Sequence, residues 1–150
     1  MLDNGHKVVC VVTAPDKPKG RGLKLQHSSV KEVALEAGIP VLQPKNLKAQ
    51  EFQDELRAFN LDLAVIIAFR MLPKRVWSLP KIGTFNLHAS LLPNYRGAAP
   101  INHAIINGEK ETGLTTFFLK HEIDTGDILL QKKVSIGENE TVGELYKRLM

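Results

Sequence analysis

The segment FNLHASLLPNYRGAAPIN, residues 85–102, changes character along its length and decides how the rest of the chain is interpreted. Apolar residues alternate with polar ones at its start, a break follows at Pro93, and a run of small and apolar residues begins after Gly97. Alternation is typical of a strand, and a Pro-Gly break before a helix-forming run is typical of a loop and a helix. The segment therefore predicts a strand, a loop and a helix in succession.

The same succession continues on both sides of this segment. Apolar or alternating runs predict strands at residues 7–13, 39–44, 61–69, 83–90, 114–120 and 127–136. Amphipathic spacing with capping residues predicts helices at 28–38, 48–60, 100–108 and 141–150, and a short helical turn within 70–80. Strands that alternate with helices predict an α/β fold with a mostly parallel sheet, in which ligands bind at the carboxyl ends of the strands.

Composition excludes several classes of protein. The apolar share is 43% and the charged share 24%, as in a soluble globular domain, and no apolar run reaches the roughly 18 residues that span a bilayer. The start MLDNGHKVV lacks the order of a signal peptide. The only cysteine, Cys10, lies in an apolar run and is expected to be buried rather than reactive. These features predict a cytoplasmic protein.

The positive charge of the chain is concentrated in one segment. Residues 15–27 carry four of the 20 Lys and Arg residues and one of the 16 Asp and Glu residues, which gives +3 of the net charge of +4. The segment is rich in Pro and Gly, so a loop is predicted. A basic loop is either a solvated surface or a contact for a polyanion.

Asn86 and His88 are the candidate catalytic pair. One residue separates them in a predicted strand, so they lie on the same face, at the carboxyl end where a ligand is expected. Asparagine offers N–H donors to an oxyanion, and histidine can change protonation near neutral pH. Asp124, in HEIDTGDIL (121–129), could orient the imidazole. The alternative is a capping asparagine and a core histidine with structural roles.

The sequence contains no motif that indicates another kind of catalytic chemistry. GxSxG, GxGxxG and the phosphate-loop pattern are absent, and the acidic cluster near Asp124 fits neither HExxH nor a calcium loop, so no metal is expected. A polar trio without a protein nucleophile indicates direct transfer between two bound substrates.

These motifs together resemble the folate-dependent formyltransferase family. The stretch 85–102 is similar to the family signature, in which an N-x-H pair precedes SLLP-x-YRG, and HEIDTGDIL is similar to its D-x-G segment. TAPDKPKGRGLKL, IIAFRMLP and YRGAAPIN resemble the members that act on methionyl-initiator tRNA more than those that act on glycinamide ribonucleotide or amino sugars. The similar stretches follow the expected order from about residue 5 to residue 150.

The resemblance implies transfer of a formyl group from 10-formyltetrahydrofolate to the amino group of methionyl-initiator tRNA through a tetrahedral intermediate. Asn86 and protonated His88 would stabilise the oxyanion, and Asp124 would orient the imidazole and help to move the amine proton through water. The folate pocket would be lined by Phe69, Arg70, Met71, Leu72, Ser90, Leu91, Leu92 and Pro93. The tRNA acceptor arm would be bound by Lys17, Lys19, Arg21 and Lys24.

The resemblance also implies the Rossmann-like, doubly wound fold of the family. We expect residues 1–150 to be a partial catalytic-domain core that lacks the first strand and helix and a C-terminal tRNA-binding barrel domain. A monomer without a metal or membrane association is expected. Two alternatives stay open: a related enzyme whose acceptor is an amino sugar or water, and a non-catalytic fragment that binds RNA or folate.

Overall fold

The computed structural model describes residues 2–19, 24–120, 122 and 124–150. These residues belong to two compact units, Met1–Leu61 and Asp62–Met150. Each unit has its own strand pairings and is described by itself. Arg21, predicted to bind tRNA, lies outside the described residues.

The first unit combines short strands with two α-helices. Its elements are a 3-10 helix at Leu2–Asn4, β1 at Val11–Val12, β2 at Lys17–Lys19, β3 at Lys24–Gln26, α1 at Ser29–Glu36, β4 at Val41–Leu42 and α2 at Gln50–Ala58. β1 and β4 pair in parallel, so the strands predicted in these two runs are confirmed, although each is shorter than its run. Ser28 caps α1 by accepting a hydrogen bond from the Lys31 amide at 3.2 Å.

The basic segment contains a β-hairpin, and its prediction as a loop was wrong. β2 and β3 pair antiparallel, with Lys17 opposite Gln26 and Lys19 opposite Lys24. The hairpin was missed because no apolar face marks its strands: Leu25, the apolar residue of β3, is 69% exposed. Backbone pairing rather than burial therefore defines this element.

The second unit is built on a four-stranded sheet in the order β5-β6-β7-β8. Its elements are β5 at Leu63–Ile67, α3 at Lys74–Trp77, β6 at Gly83–His88, α4 at Pro100–Ile106, β7 at Glu111–Phe118, β8 at Ile128–Ser135 and α5 at Val142–Leu149. β5 and β6 pair in parallel, and β7 is antiparallel to both of its neighbours. β5, β6 and β8 therefore run in one direction, and the α/β class with a mostly parallel sheet is confirmed.

β7 runs in the opposite direction to β6. It begins near the carboxyl end of β6 and runs back along it, with Thr115 opposite His88 and Phe118 opposite Phe85. The connection between the two strands contains α4.

An apolar cluster joins α4 and α5 in the second unit. Ile101 of α4 and Leu145 and Leu149 of α5 are buried together. α5 begins with a capping box in which Thr141 and Glu144 satisfy each other's backbone amides. The packing holds α4 in place, and α4 is the helix that follows the loop after β6.

Candidate active site

Asn86 and His88 lie on one face of β6, where the chain leaves the sheet. β6 is an inner strand, with β5 on one side and β7 on the other. The His88 side chain is 7% exposed, and Asn86 is half-buried. The Asn86 amide makes no hydrogen bond to another described residue, and it carries two N–H donors.

Asp124 reaches His88 from a loop that begins at the opposite end of β6. β7 ends at Phe118, beside Phe85, and Asp124 lies between β7 and β8. Oδ2 of Asp124 lies 3.8 Å from Nδ1 of His88, and both side chains are largely buried. The structure thus brings together two residues that are 36 positions apart in the sequence.

A glycine allows this loop to close. A Cβ atom at Gly126 would lie 1.4 Å from the carbonyl oxygen of Phe118, so no larger residue fits without a shift of the backbone. The Phe118 amide also donates to the Asp127 carbonyl oxygen at 3.0 Å, which joins the two ends of the loop. Asp124 itself has a φ of 51°, in the left-handed region that aspartate adopts more readily than most residues.

Backbone groups of Tyr95 and Gly97 bind the side chains of His88 and Asp124. Nε2 of His88 donates to the Tyr95 carbonyl oxygen at 2.8 Å, and the Gly97 amide donates to Oδ2 of Asp124 at 2.8 Å. A carbonyl oxygen can only accept, so Nε2 carries a hydrogen and Nδ1 is the nitrogen that faces Asp124. The 3.8 Å between Nδ1 and Oδ2 is too long for a hydrogen bond. Nδ1 is therefore available to a ligand.

The loop after β6 has a backbone conformation that most residues avoid. Tyr95, Gly97 and Ala99 have φ values of 55°, 87° and 54°. The left-handed region costs a residue other than glycine roughly 1–2 kcal/mol. Such strain persists where surrounding contacts hold it, and it is concentrated at functional sites. The sequence predicted a turn here, and it missed Tyr95 as a partner of His88.

Polar side chains of β7 and β8 anchor the first part of this loop. The Thr115 hydroxyl donates to the Ser90 carbonyl oxygen at 2.6 Å, and the Gln131 amide donates to the Leu92 carbonyl oxygen at 2.8 Å. The Ser90 hydroxyl in turn donates to the carbonyl oxygen of Asn94 at 2.6 Å. Sequence reasoning missed Thr115 and Gln131, because each contacts a residue far away in the sequence.

The two segments predicted to line a folate pocket differ in exposure. Phe69–Leu72 follows β5, whose last residue pairs with Leu87, so this segment leaves the sheet at the same edge as His88. Its Met71 side chain is 76% exposed. In the second segment, Ser90 and Leu92 are buried and hydrogen-bonded within the fold. Their role in binding folate stays a prediction, as does that of the whole set.

The cations predicted to bind tRNA belong to the first unit. Lys17 is exposed on β2, and Lys19 and Lys24 are paired opposite each other in the hairpin ladder. Their contact with tRNA stays a prediction.

A polar network anchors the start of this hairpin beyond the ends of β1 and β4. Asp16 accepts hydrogen bonds from the Gln43 amide at 2.9 Å and from the Lys31 ammonium at 2.6 Å, and it pairs with His27 at 2.9 Å. The hydrogen bonds from Gln43 and Lys31 lower the pKa of Asp16 to about 2. Sequence reasoning missed this network, because its members lie in four different segments.

Cys10 and the acidic residues offer no second reactive centre within the described ranges. Cys10 is partly buried, and burial, assisted by the Glu55 carboxylate, raises the pKa of its thiol. No three His, Cys, Asp or Glu side chains of the described residues are grouped closely enough to hold a metal ion. The same part of the chain contains no helix long and apolar enough to cross a bilayer.

An amide and an imidazole thus share one face at the end of an inner strand, and a carboxylate from another segment approaches the imidazole. Comparison with known families gives the class: residues 1–150 match the family described as formyl transferase, and the chain belongs to that family. A crystal structure of phosphoribosylglycinamide formyltransferase from Bacillus halodurans superposes with a TM-score of 0.80 at 25% identity, over 95% of this chain and 73% of that chain. The Rossmann-like formyltransferase fold is therefore confirmed.

Relatives with a higher sequence identity to this chain are named methionyl-tRNA formyltransferase. The chain is 59% identical to the methionyl-tRNA formyltransferase of Porphyromonas gingivalis over 149 residues, which are 99% of this chain and 46% of that relative. It is 57% identical to the methionyl-tRNA formyltransferase of Flavobacterium psychrophilum over 147 residues, again 46% of the relative. The chain thus spans about half the length of the curated relatives it matches.

Proposed function

We propose that the chain supplies the catalytic domain of an enzyme that transfers the formyl group of 10-formyltetrahydrofolate to the amino group of methionyl-initiator tRNA. The observation that carries the proposal is the approach of Asp124 to within 3.8 Å of His88 at the end of β6, on the strand face that Asn86 shares. The names of the relatives support the choice of donor and acceptor. The family supports a formyl-folate as the donor class.

The open polar atoms suit the charge that develops when an amine attacks a formyl carbon. A carbon–nitrogen bond forms, and the formyl oxygen becomes an oxyanion. The Asn86 amide donates to this oxyanion, and a protonated His88 donates to it from Nδ1, since Nε2 is committed to the Tyr95 carbonyl. One well-placed oxyanion donor contributes on the order of 10² to 10³ in rate.

The Asp124 carboxylate is placed to help remove the proton that the amine must lose. Its Oδ2 is held by the Gly97 amide, and 3.8 Å separates it from Nδ1 of His88. A water molecule bound near this carboxylate can carry the amine proton away as the tetrahedral intermediate forms. Collapse of that intermediate breaks the bond to the folate nitrogen, which receives a proton. Positioned proton transfer contributes about 10² to 10⁴ in rate.

The two substrates are assigned to different parts of the chain. Phe69–Leu72 and Ser90–Pro93 line the folate pocket, which the emergence of both segments at the His88 edge of the sheet supports. Lys17, Lys19, Arg21 and Lys24 contact the phosphates of the tRNA acceptor arm. The resulting enzyme works as a cytoplasmic monomer, a location supported by its single, partly buried cysteine.

An acceptor assay tests the proposal. The protein, with the sequence that naturally flanks these 150 residues, receives 10-formyltetrahydrofolate and methionyl-initiator tRNA, and formyl-methionyl-tRNA is measured. The matched control is the same tRNA with its methionyl amino group acetylated, which has the same charge on its phosphates but no nucleophile. Transfer to the first and none to the second is the expected result.

The same assay separates the alternatives. Formate release that does not depend on tRNA would indicate a hydrolase, and transfer to an amino sugar alone would indicate a different acceptor. Binding of folate or tRNA without any turnover would indicate a non-catalytic protein. Each of these three outcomes would overturn the proposed activity.

A further inference from the structure

The Tyr95 carbonyl determines which nitrogen of His88 can take part in proton transfer. Nε2 donates to this carbonyl oxygen at 2.8 Å, and the ring is 7% exposed, so water does not compete for that contact. Nε2 keeps its hydrogen whether the imidazole is neutral or protonated. The proton that comes and goes is therefore on Nδ1, the nitrogen that faces Asp124.

Tyr95 needs outside contacts to keep its carbonyl in this position. Its φ of 55° lies in the left-handed region, which a side chain with a Cβ disfavours. A return to an extended conformation would turn the carbonyl away from Nε2. The side chain of Tyr95 makes contacts that oppose this return.

Three residues on and after α4 hold the Tyr95 side chain. Its ring stacks on His103, with ring centroids 6.3 Å apart and planes inclined by 5°. Its hydroxyl donates to the Glu109 carboxylate at 2.5 Å and accepts from the Asn107 amide at 3.2 Å. The hydrogen bond to Glu109 raises the pKa of the phenol, which keeps the hydroxyl a donor. Sequence spacing marks none of these contacts.

We propose that Tyr95 and His103, with Glu109 and Asn107, are positioning residues that fix the Nε2–H form of His88. They touch no reacting atom in the proposed chemistry. They act by holding one backbone carbonyl, so the inference rests on the proposed function where it concerns rate, and on the fold alone where it concerns the form of His88.

Two variants separate the contacts. Tyr95→Phe keeps the stack and removes the hydroxyl contacts, whereas His103→Ala removes the stack and keeps the hydroxyl. His103→Phe restores an aromatic partner. Tyr146→Phe, at an exposed tyrosine of α5, is the matched control for loss of a hydroxyl. All are made in the protein with its natural flanking sequence, and thermal unfolding establishes that each is folded.

Two measurements are made on each variant. Nitrogen-15 NMR of the imidazole reports the form of neutral His88 without substrate, and steady-state kinetics report kcat and KM. We expect the Nε2–H form in the wild-type protein, and a mixture of forms in Tyr95→Phe and His103→Ala. Their kcat should fall about 10-fold with KM little changed, since a misplacement of about 1 Å can cost on the order of 10²-fold. His103→Phe should restore both readouts, and Tyr146→Phe should change neither.

Three results would overturn the inference: the Nδ1–H form in the wild-type protein, unchanged readouts in both Tyr95→Phe and His103→Ala, or a fall in kcat while the form of His88 stays the same. The last would mean that these contacts affect the rate by a route other than the form of His88. A wild-type protein that shows the Nε2–H form but transfers no formyl group would overturn the proposed function and leave the assignment of His88 intact.

Discussion

At the scale of single residues, the site depends on polar atoms that the fold leaves open. Asn86 has no hydrogen-bond partner in the described residues, and Nδ1 of His88 is 3.8 Å from Oδ2 of Asp124. An amide and an imidazole nitrogen that the described residues leave unpaired can bond to a ligand at the end of an inner strand. The amide and the imidazole are thus prepared for an oxygen that arrives with a substrate.

Replacement of Asn86 tests this interpretation. Asn86→Ala should lower kcat for formyl transfer by about 10² to 10³, because one oxyanion donor is removed. Since the amide has no partner among the described residues, the free energy of unfolding should change by no more than about 0.5 kcal/mol. Kinetics and denaturant unfolding measure the two effects.

Asn102→Ala is the control for this replacement, because Asn102 is an exposed asparagine of α4. It should leave kcat unchanged. A rate near that of the wild type in Asn86→Ala would contradict the role of Asn86 in stabilising the oxyanion.

At the scale of elements, the loop that carries Asp124 is held by close backbone packing at Gly126. Gly126→Ala would place a methyl group against the Phe118 carbonyl, and overpacking of this kind costs about 1–3 kcal/mol or more. The displaced loop would also move Asp124, so kcat should fall together with stability. Denaturant unfolding and the transfer assay measure both.

Gly143→Ala is the matched control for Gly126→Ala. Gly143 lies in α5, and a Cβ there meets nothing within 4 Å. This change should stabilise the protein by up to about 1 kcal/mol, because alanine favours a helix over glycine. Equal stability changes in the two variants would show that packing at Phe118 is not decisive.

The hairpin of the first unit depends on the network around Asp16. Folding lowers the pKa of Asp16 from 3.8 to about 2, so the carboxylate stabilises the folded state above pH 3.8 and loses this effect as pH falls through 2. NMR titration should show Asp16 ionising near pH 2, with the amide shifts of β2 and β3 following the same curve. The hairpin should therefore loosen only in strong acid.

Substitutions of the two strongest donors to Asp16 rank their contributions. Gln43→Met and Lys31→Met should each raise the pKa of Asp16, and Gln43→Met should raise it more, since its hydrogen bond is the largest cause of the shift. Ionisation of Asp16 near pH 3.8 in the wild-type protein would contradict this account of the network.

At the scale of the whole molecule, the two units divide the work that we propose. The second unit, Asp62–Met150, contains the residues assigned to chemistry, and the first, Met1–Leu61, contains the cations assigned to tRNA. A change in the first unit should therefore affect tRNA binding without affecting the formyl donor. This division gives a prediction that only the complete reaction can test.

Arg21→Ala should raise KM for methionyl-tRNA and leave KM for the folate unchanged. Removal of one cation that binds a phosphate lowers the slope of log affinity against log salt by about one, so the salt dependence should become shallower. Arg57→Ala, which removes the same charge from α2 of the first unit, is the control and should change neither value. A loss confined to folate affinity in Arg21→Ala would contradict the assignment.

The sequence by itself determined the succession of strands and helices, the common face of Asn86 and His88, and the family. These are local properties, because strand alternation and helical spacing depend on neighbouring residues. The hairpin was missed, since its pairing buries no apolar face that periodicity could reveal. The roles assigned to the folate-lining segments and the basic residues stay predictions.

Only the tertiary structure decided how the site is held. In the tertiary structure the Tyr95 carbonyl binds His88, and Asp124 approaches His88 from a distant segment. Asp16 is hydrogen-bonded to Lys31 and Gln43. The physical reason is distance along the chain: the Gly97–Asp124 hydrogen bond joins residues 27 positions apart, and no local pattern specifies such a contact. The residue types indicated which chemistry was available, and long-range packing determined which atoms could perform it.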